Sequence, residues 1–466
     1  MSTEIKKRIE NNIKDFNASG LRQASENLLN TLGYHSNKKA EVDIELLKER
    51  ASERNIESLS YALWNEWDSS SLVFQITGDE IKQNASLFDF NVVSEDLMQS
   101  YLFFAIDLKG SNYNRGQFSG ITRFMNRLYD MPVMVIFKYR GSLTFAIINR
   151  RPNKRETEKA VLEKITLIKD ISIAAPHRAH IEILFDLSVA ELQRKYGFSD
   201  FDGLHKAWQK TLDTKELNKQ FYQKLFNWYL WALQHVKFPQ MRPKEEMIPD
   251  NVHQSESLIR LLTRLLFVWF MKEKGLINPD LFEQNKLKQI LKNFRGEGGE
   301  DTIYYKAILQ NLFFATLNRP IIQRKPIDKR KSYNPEYGDP LVYRYEELYL
   351  KPENILKYFE NIPFLNGGLF DCLDQRKDAD NPVEIRLDGF STKREKQPVI
   401  PDKFFFGEYK EIDLSKDYDD KKKNHLTVFG LIDILQQYKF TIEENTPVEE
   451  EVALDPELLG KVFENL

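Results

Sequence analysis

YLFFAIDLKG (Tyr101–Gly110), an apolar run that ends in Asp-Leu-Lys-Gly, opens the stretch of sequence that decides the fold. Its length and composition are typical of a buried β-strand. Residues 111–130 then carry apolar side chains at the spacing of an amphipathic helix. These apolar residues are Ile121, Phe124, Met125 and Leu128. PVMVIFKY, LTFAIIN and ITLIKDISI follow as three further strand-like runs. The order of one strand, one helix and several strands predicts a compact α/β domain.

Asp107 and Lys109 lie at the end of the first of these predicted strands. Side chains two residues apart on a strand point to the same face, whereas Leu108 between them faces the core. A carboxylate that binds Mg²⁺ beside a lysine is what phosphodiester hydrolysis requires, because the metal activates water and the lysine stabilises developing charge. The triplet resembles the (D/E)xK half of the PD-(D/E)xK nuclease motif. We therefore expect a nuclease-like α/β fold in which Asp107 is a metal ligand and Lys109 is catalytic.

A nuclease of this kind needs a second carboxylate on a preceding strand. Asp89, in SLFDFNVV, is one candidate for this second catalytic and metal-binding acid. Asp79, which follows the strand-like run LVFQIT, is the other. The sequence leaves the choice between them open.

The segment from Lys109 to Arg155 holds ten bases and one acid, a local net charge of +9 in a chain whose formal net charge is −3. A basic surface of this kind suits the phosphates of double-stranded DNA. The residues predicted to contact DNA are Arg115, Arg123, Arg127, Arg150, Arg151, Lys154 and Arg155.

The composition of the chain, with 41% hydrophobic residues, excludes wholesale disorder. A single cysteine, Cys372, excludes a disulfide framework and fits a reducing cytoplasm. The longest strongly apolar run, LLFVWFM, is too short to span a bilayer, so we expect no membrane partner and a cytoplasmic location.

We divide the 466 residues into five segments by composition and periodicity. The segments are a helical lead-in (1–68), the nuclease-like α/β domain (69–187), a helical domain (188–320), an irregular and helical connector (321–440) and an acidic linker with the start of a helix (441–466). The acidic linker has seven acids and no base between Glu443 and Glu457, so we place it away from DNA. The last residues, PELLGKVFENL, have helical spacing without a C-cap, which predicts that a longer protein continues beyond them.

Several long aromatic-rich segments resemble large fused restriction–modification enzymes of the type IIG kind. These segments include ILQQYKFTIEENTPVEEEVALDPELLGKVFENL, IPFLNGGLFD, LLTRLLFVWFMKEKGLI and YYKAILQNLFFATLN. The resemblance implies that an adenine-N6 DNA methyltransferase domain and a target-recognition domain follow, with any nuclease near the N-terminus. The chain itself lacks an Asn-Pro-Pro-Tyr motif, so S-adenosylmethionine would bind only in the region beyond Leu466.

Two other functions compete with the nuclease. In the first, the α/β domain is catalytically silent and the chain is a DNA-binding and scaffolding module of a methyltransferase-based phage-defence protein. In the second, the chain is a helical protein-interaction platform that never touches DNA. The position of the second carboxylate relative to Asp107 decides between an active and a silent site.

Overall fold

The structure, a computed structural model, describes residues 2–54, 56, 62–81, 100–152, 160–198, 200–326, 341–365, 367–375, 377, 383–440 and 449–454. These residues form two compact units. The first unit contains the described residues of Met1–Lys219 and of Gln437–Pro456, and the second contains those of Gln220–Gln436. The second unit is therefore inserted, in sequence, into the first.

The regular elements of both units are numbered in chain order. The strands are β1 (Trp67–Thr77), β2 (Ser100–Leu108), β3 (Val133–Tyr139), β4 (Ser142–Pro152), β5 (Ala160–Ser172), β6 (Glu408–Ile412), β7 (Leu426–Phe429) and β8 (Glu449–Glu451). The α-helices before residue 234 are α1 (Ser2–Lys14), α2 (Leu21–Thr31), α3 (Ile44–Glu53), α4 (Gly78–Ile81), α5 (Arg115–Leu128), α6 (Arg178–Asp186), α7 (Val189–Tyr196), α8 (Phe201–Thr211) and α9 (Thr214–Leu233). The later α-helices are α10 (Asp250–Glu273), α11 (Gln284–Ile290), α12 (Ile355–Tyr358), α13 (Ser415–Tyr418) and α14 (Leu431–Gln436).

A six-stranded mixed sheet in the order β1-β2-β3-β4-β5-β8 is the centre of the first unit. β2 runs antiparallel to β1 and parallel to β3, and α5 connects β2 with β3. The predicted order of strand, helix, strand, strand is thus present as β2, α5, β3 and β4, and ITLIKDISI lies in β5. Parallel pairing of β2 and β3 requires a crossover between them, which α5 supplies.

Each face of the sheet is covered by its own apolar layer. On one, the α5 face, side chains of α3 and α5 pack against alternate strand residues such as Phe104 and Ile106. On the other, the bundle face, side chains of α1, α2, α6, α7 and α8 pack against Phe103 and Ala105. Because successive strand residues point to opposite faces, Asp107 continues the row of Phe103 and Ala105 on the bundle face.

Local sequence explains why α5 begins and ends where it does. The Asn114 side chain accepts a hydrogen bond from the Gln117 backbone N–H, and the Gln117 side chain accepts one in return from the Asn114 N–H. This reciprocal capping satisfies two of the unpaired N–H groups at the helix start. Asn126, in the last turn of α5, holds the connection to β3 through its bonds with the backbone of Val133.

The acidic segment near the end of the chain contributes an edge strand that we did not predict. Glu449–Glu451 forms β8, which pairs in parallel with β5 at Ile165–Leu167. Glu451 is buried, with only 6% of its surface exposed. The prediction that this segment is a linker is therefore wrong at β8, because its backbone completes the sheet.

The second unit is built from helices and irregular segments, together with the β6–β7 hairpin. Its centre is the π-helix Tyr305–Leu317, in which every side chain except that of Lys306 is buried. One of the buried charges in this unit, Arg264, forms a 2.6 Å ion pair with Asp388. α9 and α10 are long helices within the segment 188–320, which the sequence predicted to be helical.

The predicted boundary near Ser188 does not coincide with the division between the two units. Helices α7 and α8 lie in the first unit, since Leu192, Leu204 and Trp208 belong to the apolar core on the bundle face. None of the helices in the described part of the chain is long and apolar enough to cross a membrane.

Candidate functional site

Asp107 and Lys138 form an ion pair at the carboxyl ends of the parallel strands β2 and β3. The two residues are direct partners in the strand register, and the distance from Lys138 Nζ to Asp107 Oδ2 is 3.3 Å. About a quarter of each side chain remains exposed, 26% for Lys138 and 23% for Asp107. The Asp107 carboxylate is therefore partly desolvated but still accessible to a ligand.

The start of β1 lies beside the end of β2 because these strands are antiparallel. Trp67 pairs with Leu108, and Ser69 pairs with Asp107. The residue between them, Asp68, is the extra residue of a β-bulge, so Asp68 and Ser69 together lie opposite Asp107. Asp68 and Ser69 are both exposed. The bulge thus brings a second carboxylate to the same end of the sheet, on the strand adjacent to Asp107.

Lys109 is exposed, and both its backbone and its ammonium group are held by the turn before β1. Its backbone N–H donates to the carbonyl of Glu66 at 2.8 Å. Its Nζ donates to the carbonyl of Asn65 at 3.2 Å. The lysine of the Asp-x-Lys triplet is therefore directed toward this turn, whereas Lys138 is the lysine that contacts Asp107.

A tyrosine fixes the loop that follows Lys109. The Gly110 N–H donates to the Tyr113 hydroxyl at 2.6 Å, and that hydroxyl donates to the Glu66 carboxylate at 3.0 Å. Burial, together with the neighbouring Glu66 carboxylate, raises the pKa of Tyr113 above its ordinary value. A Cβ at position 110 would lie 2.5 Å from the Tyr113 oxygen, so a residue other than glycine fits there only if the Tyr113 side chain moves.

Asp79, one of the two predicted second acids, lies at the opposite end of the sheet from Asp107. It belongs to α4, directly after the end of β1, where Thr77 pairs with Ser100. Ser100 and Asp107 are separated by most of β2, which corresponds to roughly 20 Å at about 3.3 Å per residue. Asp79 is therefore too far away to share a metal ion with Asp107. The other candidate, Asp89, lies outside the described residues.

Arg115, predicted to contact DNA, is instead part of a buried ion pair. Its Nε and Nη2 donate to Glu451 Oε2 at 3.1 and 2.7 Å. The side chains are only 7% and 9% exposed. Arg115 is unavailable to a phosphate because its charge is used within the fold, between α5 and β8.

Of the other predicted DNA contacts, Arg123 and Arg127 do not lie beside Asp107. Arg127 is exposed and Arg123 partly exposed on α5, which covers the face of the sheet opposite to that of Asp107. Arg150 and Arg151 belong to β4, but their side chains are outside the described part of the structure. Lys154 and Arg155 fall outside the described residues as a whole. Among the described residues, Lys138 contacts Asp107, and Lys109 follows it by two positions in the sequence.

The donor set at this end of the sheet fits a magnesium ion bound together with a substrate. Within the described residues, no group of three or more His, Cys, Asp or Glu side chains could hold a metal alone. Mg²⁺, however, is commonly bound through one or two carboxylates, with waters and substrate phosphates completing its coordination. Asp68 and Asp107 supply that number of carboxylates.

Sequence reasoning missed Asp68, although a signal for it was available. The candidates for the second acid were sought at or beyond the end of the first strand, whereas antiparallel pairing brings the start of that strand to the end of the next. Trp67-Asp68 at the start of β1 is therefore the position to search. The bulge that adds Asp68 depends on the actual register and has no signature in the sequence.

Comparison with known proteins relates the chain to restriction–modification systems. It is 27% identical over 221 residues to a protein of Methanocaldococcus jannaschii that is named "Putative type II restriction enzyme and methyltransferase". The match covers 47% of this chain and 12% of that protein. No family model matches the chain. No solved structure matches it either.

Proposed function

We propose that this chain is part of a DNA restriction–modification protein and that its first unit is a Mg²⁺-dependent DNA endonuclease with a PD-(D/E)xK-like fold. The observation that carries the proposal is the register of β1 and β2, which pairs Ser69 with Asp107 and places Asp68 in the bulge beside that pair. Two lysines, Lys109 and Lys138, lie at the same end of the sheet. Two carboxylates and lysines at adjoining strand ends are the components of a phosphodiester-hydrolysing site.

Each residue of this site has a separate role. Asp68 and Asp107 would hold the metal, which supplies an activated water and neutralises charge on the scissile phosphate. Lysine ammonium groups stabilise the additional negative charge that the phosphate develops as water attacks. Tyr113 and Glu66 position the backbone of the loop that carries Lys109.

Double-stranded DNA is the proposed substrate, because the similar Methanocaldococcus protein is named as a type II restriction enzyme. That name also includes a methyltransferase, but we assign no methyl transfer to these 466 residues, since they contain no Asn-Pro-Pro-Tyr sequence. A methyltransferase domain and a target-recognition domain are therefore proposed as partners of this chain.

The first experiment measures nicking and linearisation of supercoiled plasmid DNA by the 466-residue chain with Mg²⁺ or Mn²⁺. The second measures Mn²⁺ binding by calorimetry. Asp107→Asn and Asp68→Asn should each abolish cleavage and weaken Mn²⁺ binding, because each removes a metal ligand. Glu45→Gln is the matched control, since Glu45 is an exposed acid of α3, which packs on the α5 face. Normal cleavage by Asp107→Asn, or no cleavage by the wild type with either metal, would contradict the nuclease.

A second candidate function is a silent DNA-contacting module. The observation that favours it is the ion pair between Asp107 and Lys138, which already neutralises the carboxylate without a metal. A chain of this kind binds DNA with a strong dependence on salt but takes up no Mn²⁺ at Asp107. The calorimetric titration of wild type against Asp107→Asn therefore separates the two functions even when no cleavage is seen.

A further inference from the structure

The two lysines near Asp107 are held in different ways. Lys109 Nζ donates to the Asn65 carbonyl at 3.2 Å, and its backbone is also tied to the turn before β1. Lys138 Nζ lies 3.3 Å from Asp107 Oδ2. Only Lys138, among these two, shares a strand pairing and a charge interaction with the carboxylate at the centre of the site.

The position of Lys138 follows from the sheet itself and not from a loop. β3 alternates between the two apolar layers, with Met134 and Ile136 in the core of the bundle face. Lys138 is the next residue of that row, so it points to the same face as Asp107. Tyr139, its neighbour, is buried on the α5 face and fixes the end of the strand. The lysine is thus presented to Asp107 by a rigid, buried strand.

A carboxylate that is three-quarters buried needs a compensating positive charge. Without a metal, Lys138 provides that charge at Asp107. A divalent cation bound at Asp107 would take over this role. It would also repel the ammonium group of Lys138, because two positive charges beside one carboxylate repel each other. The lysine side chain has a flexible four-carbon stem and three donors, so it can turn from the carboxylate to a nearby phosphate oxygen.

We propose that Lys138 is the phosphate-binding lysine of this site and that it competes with the metal ion for Asp107 until DNA is bound. This inference rests on the proposed nuclease function and adds a residue that lies outside the Asp-x-Lys triplet. Lys138 forms and breaks only electrostatic contacts and hydrogen bonds, so no proton or electron is transferred by it. In this arrangement Lys109 is a positioning residue that ties the end of β2 to the turn before β1.

The decisive measurement is Mn²⁺ binding by calorimetry in the absence of DNA. Lys138→Met removes the internal competitor and should tighten Mn²⁺ binding roughly three- to tenfold. The same variant should lose at least about 100-fold in plasmid cleavage, because the phosphate loses a charged donor. A merely structural lysine would weaken both properties together.

Matched variants keep the experiment interpretable. Lys138→Arg retains the charge, so its Mn²⁺ affinity should stay within about twofold of the wild type. Lys7→Met is the control for a lysine lost from an exposed helix position, and it should change neither property. If Lys138→Met fails to fold, as judged by circular dichroism, Lys138→Gln replaces it with a side chain that can still donate a hydrogen bond.

The outcomes separate this inference from the proposed function. If wild type and Asp107→Asn bind Mn²⁺ equally, the metal site itself is wrong. If the wild type binds Mn²⁺ through Asp107 and cuts DNA while Lys138→Met or Lys138→Gln has unchanged or weaker Mn²⁺ affinity, only the role of Lys138 is overturned. If Lys109→Met instead tightens Mn²⁺ binding, the competing lysine is Lys109.

Discussion

Replacing Arg115 with alanine tests whether its charge serves the fold or DNA. The arginine makes two hydrogen bonds to one oxygen of Glu451, at 3.1 and 2.7 Å, in a site where both side chains are more than 90% buried. Removing one partner of a buried ion pair leaves the other charge uncompensated and costs about 3–5 kcal/mol. For a unit of 150–250 residues, each kcal/mol lowers the melting temperature by about 2–4 °C, so we expect a loss of roughly 6–20 °C.

The assay combines thermal unfolding with hydrogen exchange of peptides from β5 and β8. In Arg115→Ala, both strands should lose protection, because the ion pair joins β8 to α5 beside the edge formed by β5. Arg115→Met combined with Glu451→Leu should recover most of the stability, since an apolar pair of similar volume carries no buried charge. Arg127→Ala, on the exposed side of the same helix, is the control and should change stability by no more than about 0.5 kcal/mol.

DNA binding supplies the opposing result. A phosphate contact by Arg115 would make the slope of log affinity against log salt shallower by about one when the residue is removed. We expect no such change for any folded Arg115 variant. A shallower slope with unchanged melting temperature would refute the buried pair and restore the original prediction for this residue.

Two further predictions concern other parts of the chain. Burial raises the pKa of Asp402 to about 7, so the folded state keeps a proton that the unfolded state releases above about pH 4. The free energy of unfolding should therefore fall by up to roughly 4 kcal/mol as the pH rises from about 4 to about 7. Asp402→Asn should reduce this dependence on pH, which urea denaturation at pH 4, 5.5 and 7 measures. The same change in unfolding free energy with pH in the wild type and in Asp402→Asn would contradict the prediction. Gly110→Ala places a Cβ 2.5 Å from the Tyr113 oxygen, and it should lower DNA cleavage while leaving Mn²⁺ affinity unchanged. Equal cleavage by Gly110→Ala and the wild type would show that cleavage does not depend on the loop after Lys109.

Much of the first unit could be predicted because its determinants are local. The apolar run before Asp107, the helical spacing in α5 and the strand-like runs of β3 to β5 are each visible within about a dozen residues. Alternation along β2 also predicted correctly that Leu108 is buried beside Asp107 and Lys109. These features depend on periodicity, which a single sequence displays directly.

What the sequence could not show depends on contacts between distant residues. Arg115 and Glu451 are separated by 336 positions, so neither the basic helix nor the acidic segment reveals that the two charges meet. The choice of the second acid likewise required the register of β1 and β2, because an antiparallel strand presents its first residues, not its last, to the end of its neighbour. A one-residue bulge then added Asp68 to that end. Charge density predicted a DNA surface on α5, but it could not distinguish an exposed arginine from a paired one.

The return of the chain to the first unit at β8 sets an order for its synthesis. The ribosome completes β5 and then makes the whole of the second unit before Glu449–Glu451 emerges. At about 5–20 residues per second, this interval lasts roughly 15–60 s. Throughout that time β5 has an unpaired edge, and Arg115 lacks the carboxylate that compensates its charge. An exposed edge strand is a site of aggregation, so the nascent first unit stays at risk until the ribosome has made the inserted unit and the last strand.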